Sequence, residues 1–567
     1  LSDELASAWT ETNKSTFFIR VDFSDAANSV SQATLATVIN TSVASSITQM
    51  SYGKTTVSAT VSSMMVRMPQ PKAYYLSAGT DAIFNEAKAA YEALAGVGSL
   101  SSYDIVGVHF PSIGMQSGGV TFAGLATVGG SRHWLQGTTN SGVIIHEFGH
   151  NYGLGHASFW DTSDGSVVGT GATVEYGDIF DIMGDGPDPE GHFHMQGKQY
   201  LNWITSSQWT NANTAGSGTF RIYPFDNAST TSTQRGVRVT KATGEYYWIG
   251  YRPGIADAPL LKTGAYLLWQ RSGYNRCWLL DTTPTSSSDR EDAAIAIGRT
   301  YSDTTAGVHI TPTANGGSGA NAWLDVNVQL GAFPGNQSPT ASIGGPTTAN
   351  ARNSVTFTAT AADGNGDPLA YSWDFGDGAV STNTNSISRS WMIGGTYNIS
   401  LTVTDMKGGT VTANKSVTVT DPLSTWTQRT SNTTADLKAI VYGGGKLLAV
   451  GKSQGTWCSS TDGSSWTTGT IWVSGNTANN MTSESIIHDG SQFVVAGYDY
   501  DFGIPDWIGV IYTSPNGTTW TRRHNTAAGE LRDVAIGSGG VYVAVGDNGT
   551  IWRSTDSAVT WSPISTG

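Results

Sequence analysis

The residues best suited to chemistry lie in one short segment, His146 to His156, with the sequence HEFGHNYGLGH. His146 and His150 are four positions apart, so on a helix both imidazoles project from one face, one turn apart. Gly153 allows the chain to leave the helix with a positive φ, and His156 can then return as a third ligand. Three neutral imidazoles leave one coordination position for water, which is typical of a catalytic zinc site.

Glu147 directly follows the first histidine and is the candidate catalytic residue. In this hypothesis it takes a proton from a zinc-bound water and delivers it to the leaving amine, while zinc polarises the scissile carbonyl. The competing interpretation is that the three histidines are ordinary surface residues. That interpretation needs Gly153 and His156 to fall by chance at the correct offsets from HExxH, so the spacing favours a zinc-dependent enzyme.

The segments that must position this motif alternate strand and helix patterns over residues 1–208. Strands are predicted for four β-rich runs, at 17–23, 56–66, 105–108 and 120–128. Helices are predicted for two runs of apolar residues at helical spacing, at 35–50 and 83–94. The first 208 residues therefore predict an α/β catalytic domain.

The pattern HExxHxxGxxH is the motif of the metzincin peptidases, and a second metzincin feature follows it. The segment YGDIFDIMG at 176–184 fits the Met-turn, in which Met183 would lie beneath the metal without binding it; the alternative is an ordinary core methionine. Within that clan, about residues 15–330 resemble the gametolysin family and its bacterial relatives. Further matching segments are VDFSD at 21–25, SYGK at 51–54, FAGLATVGG at 122–130 and KQYLNWI at 198–204.

The metzincin resemblance also implies where a peptide would bind. The edge strand of the sheet, to which a substrate could add by strand pairing, would include Phe122, Ala123, Gly124, Leu125 and Ala126. The alternative is a strand with partners on both sides. Residues from Met183 to Trp203 would line the pocket for the primed side of the substrate.

Several other residues near the motif were weighed as site residues. Asp185 stands where several metzincin families have a tyrosine, so a tyrosine at that position cannot assist catalysis here. His192 and His194 are candidate extra ligands, with pocket-wall or surface histidines as the alternative. His109 and His133 are interpreted as structural.

The rest of the chain predicts all-β domains. Residues 209–331 show only strand patterns and predict a β-sandwich, in which LLDTTP at 279–284 resembles the immune-inhibitor-A peptidases. After a linker, the segment 338–421 contains YSWDFGDG and resembles the PKD domain, an immunoglobulin-like sandwich. Its DGNGD segment offers oxygen ligands for Ca²⁺ at Asp363, Asn365 and Asp367, or forms an Asx-rich turn.

The last segment, 423–567, repeats itself with a period near 45–50 residues. Each repeat ends in a turn before a tryptophan, and these turns resemble the Asp-boxes of BNR-type propellers, where the box is a structural turn. About three propeller-like blades are predicted, too few for the usual closed ring. We therefore expect either a truncated propeller or an open arrangement.

Composition limits the partners of this chain. With 567 residues, the chain predicts three to four domains. The net charge of −14 and the lack of a basic run argue against nucleic acid, and no apolar stretch predicts a membrane span. Cys277 and Cys458 are predicted to be unpaired buried thiols. The chain begins at Leu1 without a signal peptide, which we interpret as a processed product of a secreted protein.

The sequence as a whole predicts a secreted zinc metalloendopeptidase with one catalytic Zn²⁺ and a protein or glycoprotein substrate. The β domains would hold the enzyme near a matrix or glycan. The alternative is an extracellular adhesin or glycan-binding protein with a structural metal site, although a structural site has no need of Glu147. A sialidase-like glycosidase would need a closed propeller and an arginine cluster, which the repeats do not offer.

Overall fold

The structure is a computed structural model of the whole chain. It describes residues 8–94, 98–186, 191–230, 234–255, 258–274, 276–286, 289–377, 382–421, 426–471, 480–501 and 506–565. The chain divides into two compact units, Leu1–Pro422 and Leu423–Gly567. The predicted start of the repeat segment at 423 coincides with this division, although residues 422–425 lie outside the described part.

The N-terminal part of the first unit is built on a mostly parallel sheet. Its strands are β1 (Lys14–Asp22), β2 (Val57–Val61), β3 (Val66–Arg67), β4 (Ile105–Phe110), the hairpin β5 (Gln116–Ser117) and β6 (Val120–Thr121), β7 (Gly124–Ala126) and β8 (Arg132–Gln136). The sheet order is β2-β1-β4-β8-β7, and only β7 runs antiparallel to its neighbour. β3 extends the pairing of β1, while β5 and β6 pair only with each other.

Helices cover both faces of this sheet. They are α1 (Gln32–Val38) and α2 (Ala44–Met50), joined by a π-helical turn at Ile39–Val43, then α3 (Lys72–Ala78), α4 (Thr80–Glu92), α5 (Ser141–Tyr152) and α6 (Met195–Tyr200). Successive side chains of the buried strand β1 point to opposite layers, so Phe18 packs with α1 and α5 while Phe17 packs with α4. The predicted α/β arrangement of this segment matches the observed order of helices and strands.

The second part of the unit packs two sheets against each other and is here called the sandwich domain. Its strands are β9 (Ser158–Thr162), β10 (Gly171–Val174), β11 (Trp209–Asn211), β12 (Gly218–Ile222), β13 (Gly236–Ala242), β14 (Glu245–Gly250), β15 (Tyr266–Gln270), β16 (Cys277–Leu279), β17 (Tyr301–Asp303), β18 (Val308–Gly316) and β19 (Trp323–Leu330). The sheet orders are β10-β9-β16-β15-β14-β13-β11 and β12-β19-β18-β17. Two short helices, α7 (Ala212–Ala215) and α8 (Pro259–Thr263), accompany them.

The predicted boundary at residue 208 does not separate the two domains cleanly. β9 and β10 precede it in the chain, yet both belong to the seven-stranded sheet, where β10 is the edge strand and β9 pairs in parallel with β16. Long-range pairing of this kind is not visible in local sequence patterns. The single predicted strand at 56–66 also differs from the structure, which has two strands, β2 and β3, separated by a bend.

The seven-stranded sheet of the sandwich domain has two buried faces. Leu267 and Trp269 point into the core shared with the four-stranded sheet. Their neighbours in β15, Tyr266 and Leu268, point the other way and pack with Phe180. The sandwich domain therefore packs directly against the chain that follows the HExxH helix.

The PKD segment forms two further sheets. Its strands are β20 (Thr340–Gly344), β21 (Thr348–Asn350), β22 (Val355–Ala362), β23 (Ala370–Asp374), β24 (Ser386–Arg389), β25 (Gly395–Thr404) and β26 (Thr410–Thr420). The sheet orders are β20-β22-β24 and β21-β26-β25-β23, with Phe357, Trp373 and Trp391 buried between them. This arrangement agrees with the predicted all-β sandwich.

The second unit contains three four-stranded antiparallel sheets in chain order. The strands are β27 (Leu437–Gly443), β28 (Lys446–Gly451), β29 (Thr456–Ser460), β30 (Thr467–Thr470), β31 (Thr482–His488), β32 (Phe493–Asp501), β33 (Asp506–Ser514), β34 (Thr521–Thr526), β35 (Leu531–Ile536), β36 (Tyr542–Gly546), β37 (Ile551–Ser554) and β38 (Ser562–Pro563). Three repeats of one meander confirm the predicted periodicity. The resemblance to BNR-type repeats stays a prediction.

Short 3₁₀ helices lie at Ala8–Glu11, Leu100–Ser102, Ser206–Gln208, Asp289–Asp292, Gly319–Asn321 and Asp547–Gly549. Cys277 and Cys458 are buried and unpaired, as predicted. Among the described residues, no helix is both long and apolar enough to cross a bilayer.

Protonation of the buried His109 should destabilise the fold at acidic pH. Its Nε2 lies 3.1 Å from the Thr138 carbonyl and must carry the proton, so Nδ1 accepts from Asn28 Nδ2 at 3.1 Å. Burial lowers the pKa of His109 to about 4. An unfolded histidine titrates near 6.5, so the unfolded state gains its proton first as the pH falls, and stability is lost between about pH 6.5 and 4.

At pH 5 this group alone should cost about 2 kcal/mol of unfolding free energy relative to pH 7. Urea unfolding of the wild type and His109→Gln at both pH values measures the effect. The variant should lose less stability between pH 7 and pH 5 than the wild type does. Equal losses would show that His109 does not titrate as described.

Candidate functional site

The helix α5 carries the first two histidines of the motif. Asn140 caps its first turn, because its side-chain oxygen accepts a hydrogen bond from Val143 N at 2.9 Å. The apolar side chains of α5 are buried in the core, namely Ile144, Ile145, Phe148 and Tyr152. The helix ends at Gly153, whose φ of 111° is in the left-handed region that favours glycine.

The three histidines meet at their Nε2 atoms. His150 Nε2 lies 3.1 Å from His146 Nε2 and 3.1 Å from His156 Nε2. Among the described residues, groups of three or more possible metal-binding side chains converge within 4.8 Å only here. A tetrahedral ion with Zn–N bonds of about 2.0–2.1 Å separates its ligands by about 3.3 Å, so the spacing fits one zinc ion.

The other ring nitrogen of each histidine is held by an acceptor. His146 Nδ1 donates to the Ile182 carbonyl at 2.8 Å, and His150 Nδ1 donates to the Leu154 carbonyl at 2.8 Å. His156 Nδ1 lies 2.6 Å from Glu175 Oε1. Each acceptor fixes the proton on Nδ1 and leaves the Nε2 lone pair directed at the shared point, as metal-binding histidines require.

The surroundings keep these imidazoles neutral. Burial lowers the pKa of His146 to about 3 and that of His150 to about 4. Burial also lowers the pKa of His156, against the effect of the Glu175 hydrogen bond. Neutral imidazole is the form that binds a metal, so the ligand set is ready at neutral pH.

Glu147 lies beside the histidines, in the wall of a cleft. Its side chain is 5% exposed, and Oε2 has no hydrogen-bond partner among the described residues. Burial raises the pKa of Glu147 to about 8. A buried carboxyl group with an unused oxygen and a raised pKa is suited to exchanging protons with a bound molecule.

The segment at the predicted Met-turn lies against α5. Met183 is buried, and its Sδ fills the space beside Gly149, where an added Cβ would lie only 2.2 Å from the sulfur. The neighbouring Ile182 supplies the carbonyl that accepts from His146. The turn therefore contacts His146 through a carbonyl group and α5 through Met183, while the position of Met183 beneath a metal stays a prediction.

The predicted edge strand borders the same cleft. The cleft has a volume of about 780 Å³, and residues 122–126 line it together with the three histidines. In the described sheet β7 is the edge strand, but it covers only Gly124–Ala126, and Phe122 and Ala123 precede it without strand pairing. Gly124 approaches Glu147 so closely that an added Cβ would lie 2.6 Å from its Cγ.

Other predicted candidates lie away from the histidine cluster. His192 is buried with Nδ1 3.1 Å from Lys198 Nζ. His194 caps α6 by accepting from Gly197 N at 2.9 Å. Both histidines are buried, and neither belongs to the group of three whose ring nitrogens converge. Asp185 is exposed and lines the cleft, and part of the predicted primed-side pocket, 187–190, lies outside the described residues.

Sequence reasoning missed Glu175, and it named Tyr176 only as one group that could replace the tyrosine absent at position 185. Glu175 accepts from His156, and Tyr176 packs on the His156 ring with centroids 3.8 Å apart. Tyr176 has a φ of 61°, an uncommon value for a residue other than glycine. The position of Glu175 directly before the YGDIFDIMG segment was the only available signal for it.

The predicted calcium ligands of the PKD segment form a turn. Asp363 Oδ1 accepts from the backbone amides of Asn365 at 2.8 Å and Asp367 at 3.0 Å. Asn365 Oδ1 accepts from Gln337 N at 2.7 Å, and Asp367 forms an ion pair with Lys407. This is an Asx-rich turn. Calcium binding stays a prediction.

Comparison with known proteins agrees with this description. Residues 24–251 match the family model of the gametolysin peptidase M11, and residues 336–420 match that of the PKD domain. The predicted resemblance is thereby confirmed for these two segments. The chain is a multidomain protein with an M11 peptidase domain and a PKD-like β-sandwich, and the match indicates a protease.

Solved structures similar to this chain include two PKD domains. The PKD1 domain of Vibrio anguillarum Epp is 36% identical, with 15% of this chain and 99% of that chain covered and a TM-score of 0.14. The PKD1 domain from Vibrio cholerae metalloprotease PrtV is 31% identical, with 15% and 98% covered and a TM-score of 0.13. A structure of YCF48 bound to D1 peptide is 18% identical over 23% of this chain and 41% of that chain, with a TM-score of 0.19.

Substitution of Gly149 should disturb the contact between α5 and the Met183 turn. In Gly149→Ala the new methyl group would overlap Met183 Sδ and press on the Phe193 ring, 3.1 Å from the added Cβ. We expect a loss of about 1–3 kcal/mol in unfolding free energy, as for other overpacked cores. Denaturant unfolding measures this loss.

Gly155→Ala is the matched control, since there an added Cβ would have no atom nearer than 3.7 Å. It should change the unfolding free energy much less than Gly149→Ala. Equal effects of the two substitutions would contradict the described packing of Met183 on the helix.

Proposed function

We propose that this protein is a secreted zinc-dependent endopeptidase that hydrolyses peptide bonds of extracellular proteins or glycoproteins. The convergence of three Nε2 atoms beside the buried Glu147, with His150 Nε2 3.1 Å from each of the other two, carries the proposal. The match of residues 24–251 to a peptidase family supports it. His146, His150 and His156 would hold the metal in this site.

Glu147 acts as the general base in this proposal. When bound, zinc supplies a Lewis acid that polarises the scissile carbonyl and makes water a stronger acid. Glu147 takes the proton of the attacking water, holds it on its buried carboxyl group, and gives it to the nitrogen of the leaving amine. Burial favours the protonated form of Glu147, so its carboxyl group can hold the proton between these two steps.

The substrate would bind as an extended strand. β7 is the edge strand and lines the cleft beside Glu147, so a peptide pairing with Gly124–Ala126 would pass its backbone in front of the histidines. Gly124 has no side chain, so it can lie close to Glu147 without filling the cleft at this point. Backbone pairing explains recognition of a peptide with little dependence on its side chains.

The remaining domains would keep the enzyme near its substrate. The described residues that line the cleft all lie between Ser117 and Gly186. We assign the remaining domains to contact with matrix proteins or glycans. Secretion is proposed from the resemblance of the chain to the gametolysin family and to the PKD domain.

Replacing Glu147 should separate metal binding from catalysis. Glu147→Gln keeps the size of the side chain but cannot take a proton, so cleavage should fall at least about 100-fold while one equivalent of zinc is retained. Zinc content and cleavage of a broad panel of protein substrates are measured on both proteins. His156→Ala serves as the control that should lose both zinc and activity.

Zinc in both the wild type and Glu147→Gln, with cleavage in neither, would favour the adhesin alternative with a structural metal. Cleavage that survives in Glu147→Gln would mean that another group is the base.

Filling the space at Gly124 should displace Glu147 without removing zinc. In Gly124→Ala the new methyl group would overlap Glu147 Cγ and Val143 Cγ1, at 2.6 and 2.7 Å from the added Cβ. A misplacement of about 1 Å can cost about 100-fold in rate, so kcat/KM should fall strongly at unchanged zinc content. Gly98→Ala, where an added Cβ has no neighbour within 4 Å, should leave kcat/KM unchanged. Normal kcat/KM in Gly124→Ala would contradict the described position of Glu147.

A further inference from the structure

The turn Asp178–Met183 is held in part by backbone hydrogen bonds of nearby residues: Ala157 N donates to the Met183 carbonyl at 2.9 Å, and Asp185 N donates to the Asp178 carbonyl at 3.0 Å. The turn contacts His146 through the Ile182 carbonyl and the helix α5 at Gly149 through the Met183 side chain. No described helix or strand covers these residues, so the backbone amides of the turn need other partners. The contacts that fix the turn therefore also fix the Ile182 carbonyl, which accepts a hydrogen bond from His146.

Two carboxylates fold the turn from within. Asp178 Oδ1 accepts from Phe180 N at 3.0 Å. Asp181 Oδ1 accepts from Met183 N at 2.7 Å, and its Oδ2 accepts from His194 N at 2.5 Å. Asp178 and Asp181 are both fully buried, so each needs further compensation for its charge.

Two side chains of the sandwich domain hold the turn from outside. The hydroxyl of Tyr266, in β15, donates to Asp178 Oδ2. Arg252, which follows β14, donates through Nη1 to the Phe180 carbonyl. Tyr266 and Arg252 are fully buried, because they point to the face of the seven-stranded sheet that packs on the turn.

The charges buried around these contacts are balanced. Three carboxylates and three cations influence one another in this region, namely Asp178, Asp181, Asp226, Lys198, Arg235 and Arg252. Lys198 Nζ also donates to the Phe225 carbonyl at 2.8 Å and so ties α6 to the sandwich domain. Moving the turn would take Asp181 away from the buried Arg252 and Lys198, which favour its charged form.

We propose that the sandwich domain positions the zinc site, with Tyr266 and Arg252 as positioning residues that hold the Asp178–Met183 turn against His146. An apolar interface would suffice for simple attachment of the two domains. The hydrogen bonds from Tyr266 and Arg252 are both directed at one turn, so they fix the position of that turn. This inference rests on the proposed zinc function, since it concerns the affinity and geometry of that site.

The test compares two tyrosines of the sandwich domain in the full-length chain. Tyr266→Phe removes the hydroxyl that donates to Asp178. Tyr247→Phe removes an equally buried hydroxyl that donates to Asp303 at 2.7 Å in the core between the two sheets, away from the turn. Zinc affinity by chelator competition, the visible spectrum of the cobalt-substituted protein and the unfolding midpoint are measured for both variants.

Tyr266→Phe should weaken zinc binding up to about 10-fold and alter the cobalt spectrum, at the lower end of the effect of losing a direct outer partner of a metal ligand, because Tyr266 acts through the Asp178–Met183 turn. Tyr247→Phe should lower the unfolding midpoint but leave both metal readouts as in the wild type. Asp178→Asn alters the same hydrogen bond from the turn side and should change zinc affinity and the cobalt spectrum in the same way. It replaces Tyr266→Phe in the test if Tyr266→Phe folds poorly.

Equal zinc affinity and cobalt spectra in the wild type, Tyr266→Phe and Asp178→Asn would overturn this inference but not the proposed peptidase function. Equal weakening of zinc binding by Tyr247→Phe would also overturn it, because the effect would then follow general stability. A wild type that binds zinc but cleaves no substrate would overturn the proposed peptidase function and leave this inference standing. A wild type that binds no zinc would overturn both.

Discussion

Three imidazole lone pairs must point at one place, and most of the first unit serves that requirement. The helical spacing of His146 and His150 supplies two of them. The third depends on the left-handed exit at Gly153, which brings His156 back to 3.1 Å from His150. Any change in helix length or in this exit would move one ligand out of reach. The parallel sheet buries the apolar face of α5 and keeps the helix in place.

The same requirement explains why the site extends beyond one domain. Each histidine needs an acceptor on Nδ1, and the acceptors come from three different places in the chain: Ile182, Leu154 and Glu175. The Ile182 acceptor belongs to a turn that the sandwich domain contacts through buried hydrogen bonds. Folding of the sandwich domain and the geometry of the histidines are therefore linked, although the sandwich domain supplies no ligand.

Local sequence patterns predicted the parts of the structure that depend on near neighbours. The spacing of His146, His150 and His156, the helix over 35–50 and the three repeats of the second unit all follow from short-range periodicity. Contacts between distant segments were not predictable. The pairing of β9 with β16 and the hydroxyl of Tyr266 on Asp178 join residues more than 80 positions apart, and no local pattern encodes such pairs. The burial of Lys198 was likewise invisible, since lysine is usually exposed.

The central claim is that one zinc ion binds where the three Nε2 atoms meet. Anomalous diffraction from crystals of the zinc-loaded protein, measured above and below the zinc absorption edge, tests it most directly. The account predicts one dominant zinc peak at about 2.0–2.1 Å from the Nε2 atoms of His146, His150 and His156. A zinc peak elsewhere on the protein, or none between these histidines at saturating zinc, would contradict it.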